Sequence, residues 1–187
     1  MQEYLQFDES PPLETQAMVE AVAKSWRLYQ PGRQEDAHEF LITLLQTFLR
    51  CGLGRNFNGK KSLEEKSVIF KLFGGQLRSQ VKCLRCKQES NTIDAFFSIP
   101  LDITGAGKVS FSDCLHRYCG KEILKEKNKY HCTTCLSPQE AEKQLTIDSP
   151  PRILIIHLMR FDQYGFKIGR YVDFPETLNV GGLLSSH

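Results

Sequence analysis

The chain reads as an α+β protein, a run of helix followed by a run of strands. Three observations carry that reading. Apolar residues recur at helical spacing through the first third, and β-forming residues alternate with polar ones beyond about Val68. Inside the strand region stand two matched turns, Cys83-Leu84-Arg85-Cys86 and Cys132-Thr133-Thr134-Cys135.

At 187 residues the chain can bury a substantial core as one domain, or as one domain with an extension. A formal net charge of +2 gives no global attraction to nucleic acid or anionic membrane. The strongest apolar run, Ile153-Leu154-Ile155-Ile156, is far too short to span a bilayer. The opening stretch, Met1 to Glu9, has neither the basic head nor the apolar segment of a signal peptide, so a reducing compartment is expected.

After Pro11-Pro12, the residues Leu13, Ala17, Val19, Val22, Trp26 and Tyr29 give a helical stripe that Pro31-Gly32 ends. A second helix opens at Asp36. Its spacing predicts a capping box, with Asp36 accepting from the amide three residues on and Glu39 reaching back. Phe40, Leu41, Leu44, Leu45, Phe48 and Leu49 then line a buried face, and Cys51-Gly52 closes the helix, with Gly52 or Gly54 free to turn left-handed. A loop follows to Lys61.

From Val68 the pattern predicts strands. Leu77, Ser79, Val81 and Cys83 alternate into the first cysteine turn, and Thr92 to Ile103 continues as a second β run. Ser110 to Lys125 is expected as a helix capped by Ser112, with Leu115, Tyr118 and Cys119 inside. Tyr130 to Cys132 enters the second turn and Lys143 to Ile147 leaves it. Pro150-Pro151 breaks the chain before a long predicted strand from Arg152 to Phe161, with Ile153, Ile155, His157 and Met159 in alternation.

Two residues between cysteines let both thiolates of a pair reach one ion from a tight turn. Two such turns complete a tetrahedral sulfur shell, so Cys83, Cys86, Cys132 and Cys135 read as a closed structural zinc site. The 45 residues between Cys86 and Cys132 are too many for a single compact ribbon. They predict two hairpins at the tips of a longer β extension, clamped together by Zn2+. A redox dithiol needs only one pair, and two disulfides would need an oxidising compartment. The odd total of 7 cysteines leaves Cys51, Cys114 and Cys119, each expected as a buried, inert thiol.

Several motifs stand in one order: Gln34-Glu35-Asp36-Ala37-His38-Glu39-Phe40-Leu41, then Phe73-Gly74-Gly75-Gln76-Leu77-Arg78-Ser79, then Pro100-Leu101-Asp102-Ile103. Asn128-Lys129-Tyr130-His131-Cys132, Leu154-Ile155-Ile156-His157-Leu158-Met159-Arg160-Phe161 and Val172-Asp173-Phe174-Pro175 complete the series. Together they resemble the ubiquitin-specific proteases, papain-like cysteine deubiquitinases, and the resemblance runs from about Leu13 to Val180.

What it implies is part of a hand-like fold of thumb, palm and fingers. Residues 1–67 would supply thumb helices, 68–147 the zinc-binding fingers that cradle ubiquitin, and 148–187 the start of the palm. Asp36 and Glu39 would pair with arginines of ubiquitin's C-terminal tail, Gln34 would bond backbone near the cleft, and Met159, Arg160 and Phe161 would line the tail's exit, although a helix cap alone for the acidic pair and core packing for Phe161 account for these residues equally. The implied setting is the cytoplasm, the nucleus or both. The family's cysteine box, resembling Gly-Asn-Thr-Cys-Tyr, and its Gly-His-Tyr box have no match in this chain, so the 187 residues are expected to be inactive alone.

No internal residue substitutes for them. His38 and His157 read as structural, and His116 and His131 as exposed, with His131 a candidate substitute ligand beside Cys132. His187 is terminal, and no nucleophile, base and orienting partner can be named together. Two rivals stand beside the protease segment. One is a non-catalytic zinc-containing ubiquitin-binding scaffold. The other, a zinc-ribbon nucleic-acid binder, lacks a basic cluster with interleaved aromatics.

Overall fold

The helix that opens at Asp36 is the first complete element in the computed structural model, which describes residues 20, 23, 24, 36–54, 61–105 and 108–185. The stripe expected from Leu13 to Tyr29 lies outside these residues, apart from Glu20, Ala23 and Lys24, which are helical. Gln34 and His187 also lie outside them. Helix α1 spans Ala37–Leu53, with Leu45 and Leu49 buried. Asp36 caps it, but its carboxylate accepts from the amide of His38 at 2.7 Å, two residues on rather than three. The short Asp side chain serves the nearer of the two amides open to a cap, and Glu39 stays exposed. Phe48, expected inside, is half exposed on the flank of the stripe. Gly54, not Gly52, takes the positive φ, and its amide closes on the Arg50 carbonyl.

A short helix α2 spans Lys61–Glu64 and a second, α3, spans Val68–Phe73. The strand expected from Val68 is therefore wrong at its start. The Ser67 hydroxyl accepts from the Phe70 amide at 3.0 Å and nucleates a turn of helix. The Phe70 ring then packs edge-on against Phe97 at 5.8 Å. Capping and an aromatic partner override the β propensity of Val68, Ile69 and Phe70.

Strands β1 (Gly75–Cys83) and β2 (Glu89–Phe96) form a hairpin whose turn carries Cys86. The β run expected from Thr92 to Ile103 breaks at Phe97, and β3 (Ser98–Asp102) belongs to another sheet. Strand β4 (Val109–Ser110) leads into helix α4 (Phe111–Tyr118). Ser110, not Ser112, caps α4 by accepting from the Asp113 amide. The chain then leaves the helix, and residues expected to continue it form β5 (Lys121–Leu124). A second hairpin, β6 (Tyr130–Cys132) with β7 (Ser137–Gln139), carries the other cysteine pair. Strand β8 (Ala141–Ser149) is longer than expected, and β9 (Ile155–Met159) is shorter. Strand β10 (Val172–Asp173) pairs parallel with β4.

The largest sheet runs β2-β1-β8-β5, all antiparallel. It is a ribbon rather than a layer over a core. Seven consecutive residues of β1, Gln76 to Lys82, are only partly buried, while its end residues Gly75 and Cys83 are buried. The hydrophobic core lies at the Gly75 end. There Phe96, Ile99, Leu101, Ile103, Leu115 and Ile147 pack together, around the parallel pair of β3 and β9 and the inner face of α4. Leu101, Ile99 and Ile103 are fully shielded from solvent.

Two glycines let the ribbon meet this core. A methyl added at Gly75 would stand 2.6 Å from the Phe96 ring and 2.9 Å from Cδ of Pro151, and one at Gly74 would stand 2.5 Å from the Phe70 ring. Close approach, rather than an unusual φ, requires glycine here. Gly75→Ala is expected to destabilise the protein by about 1–3 kcal/mol through overpacking. Urea denaturation would check it: a midpoint equal to that of the parent chain would show that the ring of Phe96 can step aside.

Candidate functional site

The two cysteine turns meet. One sulfur from each of Cys83, Cys86, Cys132 and Cys135 lies within 4.8 Å of the other three, with the Cys86 and Cys132 sulfurs 3.6 Å apart. Zinc–thiolate bonds of about 2.3 Å in a tetrahedron give sulfur–sulfur edges of about 3.8 Å, so the donors fit such an ion. Strand pairing brings them together. Cys83 stands opposite Ala141 in the β1–β8 register, the Leu84 amide donates to the Glu140 carbonyl at 2.9 Å, and β7 turns directly into β8. Each turn places a residue with positive φ immediately after its second cysteine, Lys87 at 64° and Leu136 at 52°. Both turns thus bend the chain in the same way. His131 is exposed and outside the set.

Electrostatics also favour a cation there. Amide groups of Cys135 and Thr134 hold the Cys132 thiol down at about 7, the Cys135 amide donating to its sulfur at 3.4 Å. The Cys86 amide likewise lowers Cys83. Burial, reinforced by the neighbouring sulfurs, pushes the Cys135 thiol up to about 12. Without an ion, only part of the cluster can ionise. A divalent cation reconciles four thiolates at short range.

A second cluster forms where α1 meets the β3–β9 pair. The rings of His38 and His157 stack with centroids 3.9 Å apart and planes 7° from parallel. His38 Nε2 also pairs with the Ser98 hydroxyl at 2.8 Å, which ties the first turn of α1 to β3. Asp36 and Glu39 lie exposed beside this stack. Farther along the chain, a hairpin from Arg160 to Ile168 is held by the Asp162 carboxylate, which accepts from the amides of Tyr164 and Phe166 at 2.9 Å each. The hairpin presents Phe161, Tyr164 and Phe166 to solvent.

The family described as ubiquitin carboxyl-terminal hydrolase matches residues 1–187. A probable ubiquitin carboxyl-terminal hydrolase 16 of Schizosaccharomyces pombe is 37% identical over 177 residues, 93% of this chain and 37% of that protein. Ubiquitin carboxyl-terminal hydrolase 23 of Arabidopsis thaliana is 38% identical over 85% of this chain and 19% of its own length. A chain of the SAGA Ubp8/Sgf11/Sus1/Sgf73 DUB module bound to ubiquitin aldehyde shares the fold with a TM-score of 0.67 and 30% identity, across 90% of this chain and 38% of that one. The chain belongs to the ubiquitin-specific protease family. It spans 37% and 19% of the two relatives' lengths.

Within the family's hand-like fold, the expected residues fall into separate places. The four cysteines come together at the ribbon tip. Asp36 and Glu39 share the opening turn of α1. Phe161 is 58% exposed, so packing in the core does not account for it. Cys114 and Cys119 are buried as expected, and burial raises the Cys119 thiol. Cys51 departs from expectation and is exposed in the last turn of α1, two residues past buried Leu49 and so off its inner face. Sequence reasoning missed the stacking of His38 on His157. Each sits in a motif that resembles the family, but no spacing rule joins a helix opening to a strand so far along the chain.

Among the described residues, no helix is long and apolar enough to cross a membrane. The stacked pair sets a pH dependence. Burial first, and then the neighbouring charge of His38, lower the His157 imidazole, with Asp36 opposing. The unfolded chain therefore binds the extra proton more readily as pH falls through about 6.5, and the folded state loses stability in that direction. Stability is expected to fall between about pH 7.5 and pH 5.5, and the fall should be smaller in His157→Gln. Parallel denaturation curves of the zinc-loaded proteins at both pH values would test this; identical pH dependence in the two would refute it.

Proposed function

We propose that residues 1–187 form the middle segment of a ubiquitin-specific protease domain, which grips the body of ubiquitin with its fingers and the arginine-bearing tail at the opening of α1. The carrying observation is the likeness, over 90% of the chain, to a chain of a module bound to ubiquitin aldehyde. Relatives named as ubiquitin carboxyl-terminal hydrolases support the same reading. The family reaction is hydrolysis of the bond after ubiquitin's terminal glycine, through a thioester on a cysteine. These 187 residues contain neither a Gly-Asn-Thr-Cys-Tyr nor a Gly-His-Tyr box, so they are read as binding without turnover. The reading goes with a reducing cytoplasm or nucleus, and with ubiquitin rather than nucleic acid as partner.

Cys83, Cys86, Cys132 and Cys135 would hold one zinc ion. An all-sulfur shell leaves no position for water or substrate, so the ion's chemistry is structural: it cross-links the β1–β2 and β6–β7 hairpins. Asp36 and Glu39, one turn apart and exposed, would face the positive tail as charge-assisted hydrogen-bond acceptors. Asp36 serves two roles without conflict, since its Oδ1 already holds the His38 amide and the second oxygen remains for a guanidinium.

Zinc should be present at one equivalent per chain after purification without chelator, and Cys83→Ser should lose it. Binding worth about 10–16 kcal/mol apparent in zinc-finger peptides implies that a strong chelator unravels the fingers. Amide exchange across β1, β6 and β8 reads that loss; metal-free protein with protected finger amides would rule out a structural ion.

Labelled ubiquitin titrated by NMR should show weak binding, with its C-terminal tail shifting most. Glu39→Ala, and Asp36→Asn, which keeps a capping oxygen, should each weaken binding several-fold, and added salt should lessen the difference. Wild-type affinity in both variants would reduce the acidic pair to a helix opening. An electrophilic ubiquitin probe should leave the chain unlabelled. A specific adduct at exposed Cys51 would show a nucleophile and overturn the non-catalytic reading.

A further inference from the structure

We infer that Asp36, His38 and His157 form a second metal site, separate from the four cysteines, that takes a divalent ion such as Zn2+ with affinity for imidazole. One ligand atom from each of the three lies within 4.8 Å of the other two. Two imidazoles and one carboxylate are the protein donors of open sites, in which water or an exchangeable ligand fills the remaining position. The donors come from the opening of α1 and the middle of β9, so packing makes the set, not nearness in sequence.

The surroundings match what a ligating set needs. Ligating histidines characteristically fix the ring through the other nitrogen. His38 does so already: Nε2 pairs with Ser98 Oγ at 2.8 Å, which leaves Nδ1 as the nitrogen to ligate an ion. Asp36 spends Oδ1 on the His38 amide and keeps Oδ2. Asp36 is exposed and both rings are partly exposed, so an ion can enter from solvent.

One geometric condition follows. An imidazole lone pair lies in its ring plane, and planes 7° from parallel with centroids 3.9 Å apart cannot share an ion. Loading therefore requires one ring to tilt out of the stack. Ser98 restrains His38, so His157 is the ring that turns. Stack and ion are alternatives, and the ion occupies the carboxylate proposed to meet ubiquitin's tail. Zinc would then weaken ubiquitin binding. That consequence rests on the proposed tail contact; the metal site does not.

The test uses protein whose finger cysteines are already filled with zinc, titrated with further Zn2+ while calorimetry and imidazole 15N NMR follow binding. One additional equivalent is expected, with the ring nitrogens of His38 and His157 shifting together. His38→Gln and His157→Gln should each abolish it while retaining the finger zinc, which reports that the fold is intact. Ser98→Ala should weaken it about ten-fold. The inference is overturned by the absence of a further equivalent, by the same equivalent surviving in either histidine variant, or by equal binding of Mg2+, which would mark the carboxylate alone. Ubiquitin titration with and without the extra zinc separates the two readings. Loss of affinity in the parent chain but not in His157→Gln supports both, whereas zinc bound at the histidines with ubiquitin unaffected upholds the site and removes Asp36 from the tail contact.

Discussion

Cys83, Cys86, Cys132 and Cys135 converge at the far end of strands that bury little apolar surface of their own, so the proposed ion on their sulfurs is what would hold that end together. The interior of β1 is partly exposed along seven consecutive residues, and the Lys82–Glu89 ion pair at 2.8 Å is solvent-screened and adds little. The second hairpin is smaller still, with two strands of three residues each. Isolated hairpins are marginal in water. The ribbon reaches roughly 27 Å from the core, eight steps of about 3.4 Å. The proposed zinc cross-link at its far end would replace the hydrophobic layer that a ribbon this narrow cannot build. Cys83, Cys132 and Ala141 are buried at that end, while Phe96, Ile99, Leu101, Ile103, Leu115 and Ile147 pack together at the other.

Sequence made the tip legible because its information is local. Cysteine spacing specifies the turn, and the turn specifies the direction of the sulfurs. The break at Pro150-Pro151 and the stripe containing Leu45 and Leu49 were legible for the same reason. What escaped was decided by tertiary partners. Val68 to Phe73 reads as strand, but Ser67 caps it and Phe97 supplies a ring for Phe70. Lys121 to Leu124 reads as the continuation of a helix, yet it pairs on the edge of β8, with Lys121 opposite Gln144 and an ion pair to Glu142 at 2.9 Å. Ser110 and Ser112 are equivalent as letters; only Ser110 is where the chain bends out of β4 into α4.

The candidate site divides along the same line. The acidic opening of α1 was readable as a motif, whereas the histidine stack beneath it was not. His38 and His157 come from elements whose apolar faces give no hint that they meet, and the Ser98 hydroxyl that orients His38 sits in a strand the sequence merges with its predecessor. That missed boundary matters, because the same three residues that end one strand and begin the next organise the molecule.

Phe96, Phe97 and Ser98 send their side chains in three directions. Phe96 enters the core and closes over Gly75 at the base of the ribbon. Phe97 packs on Phe70 of α3. Ser98 holds His38, which lies between Asp36 and Glu39 in the opening turn of α1. The ribbon, the helical layer and the palm strands thus join at one bend in the chain. The distance from the cysteine tip to the acidic opening is set by two rigid elements, β1–β2 and the start of α1, meeting at this bend. A partner that engages both ends at once needs that separation held, since freedom at the joint would have to be frozen on binding. The proposed ion on the four sulfurs would stiffen the far end of the lever, and the buried ring of Phe96 closes over its base. The junction, more than either end, determines whether the two proposed contacts with ubiquitin can be made together.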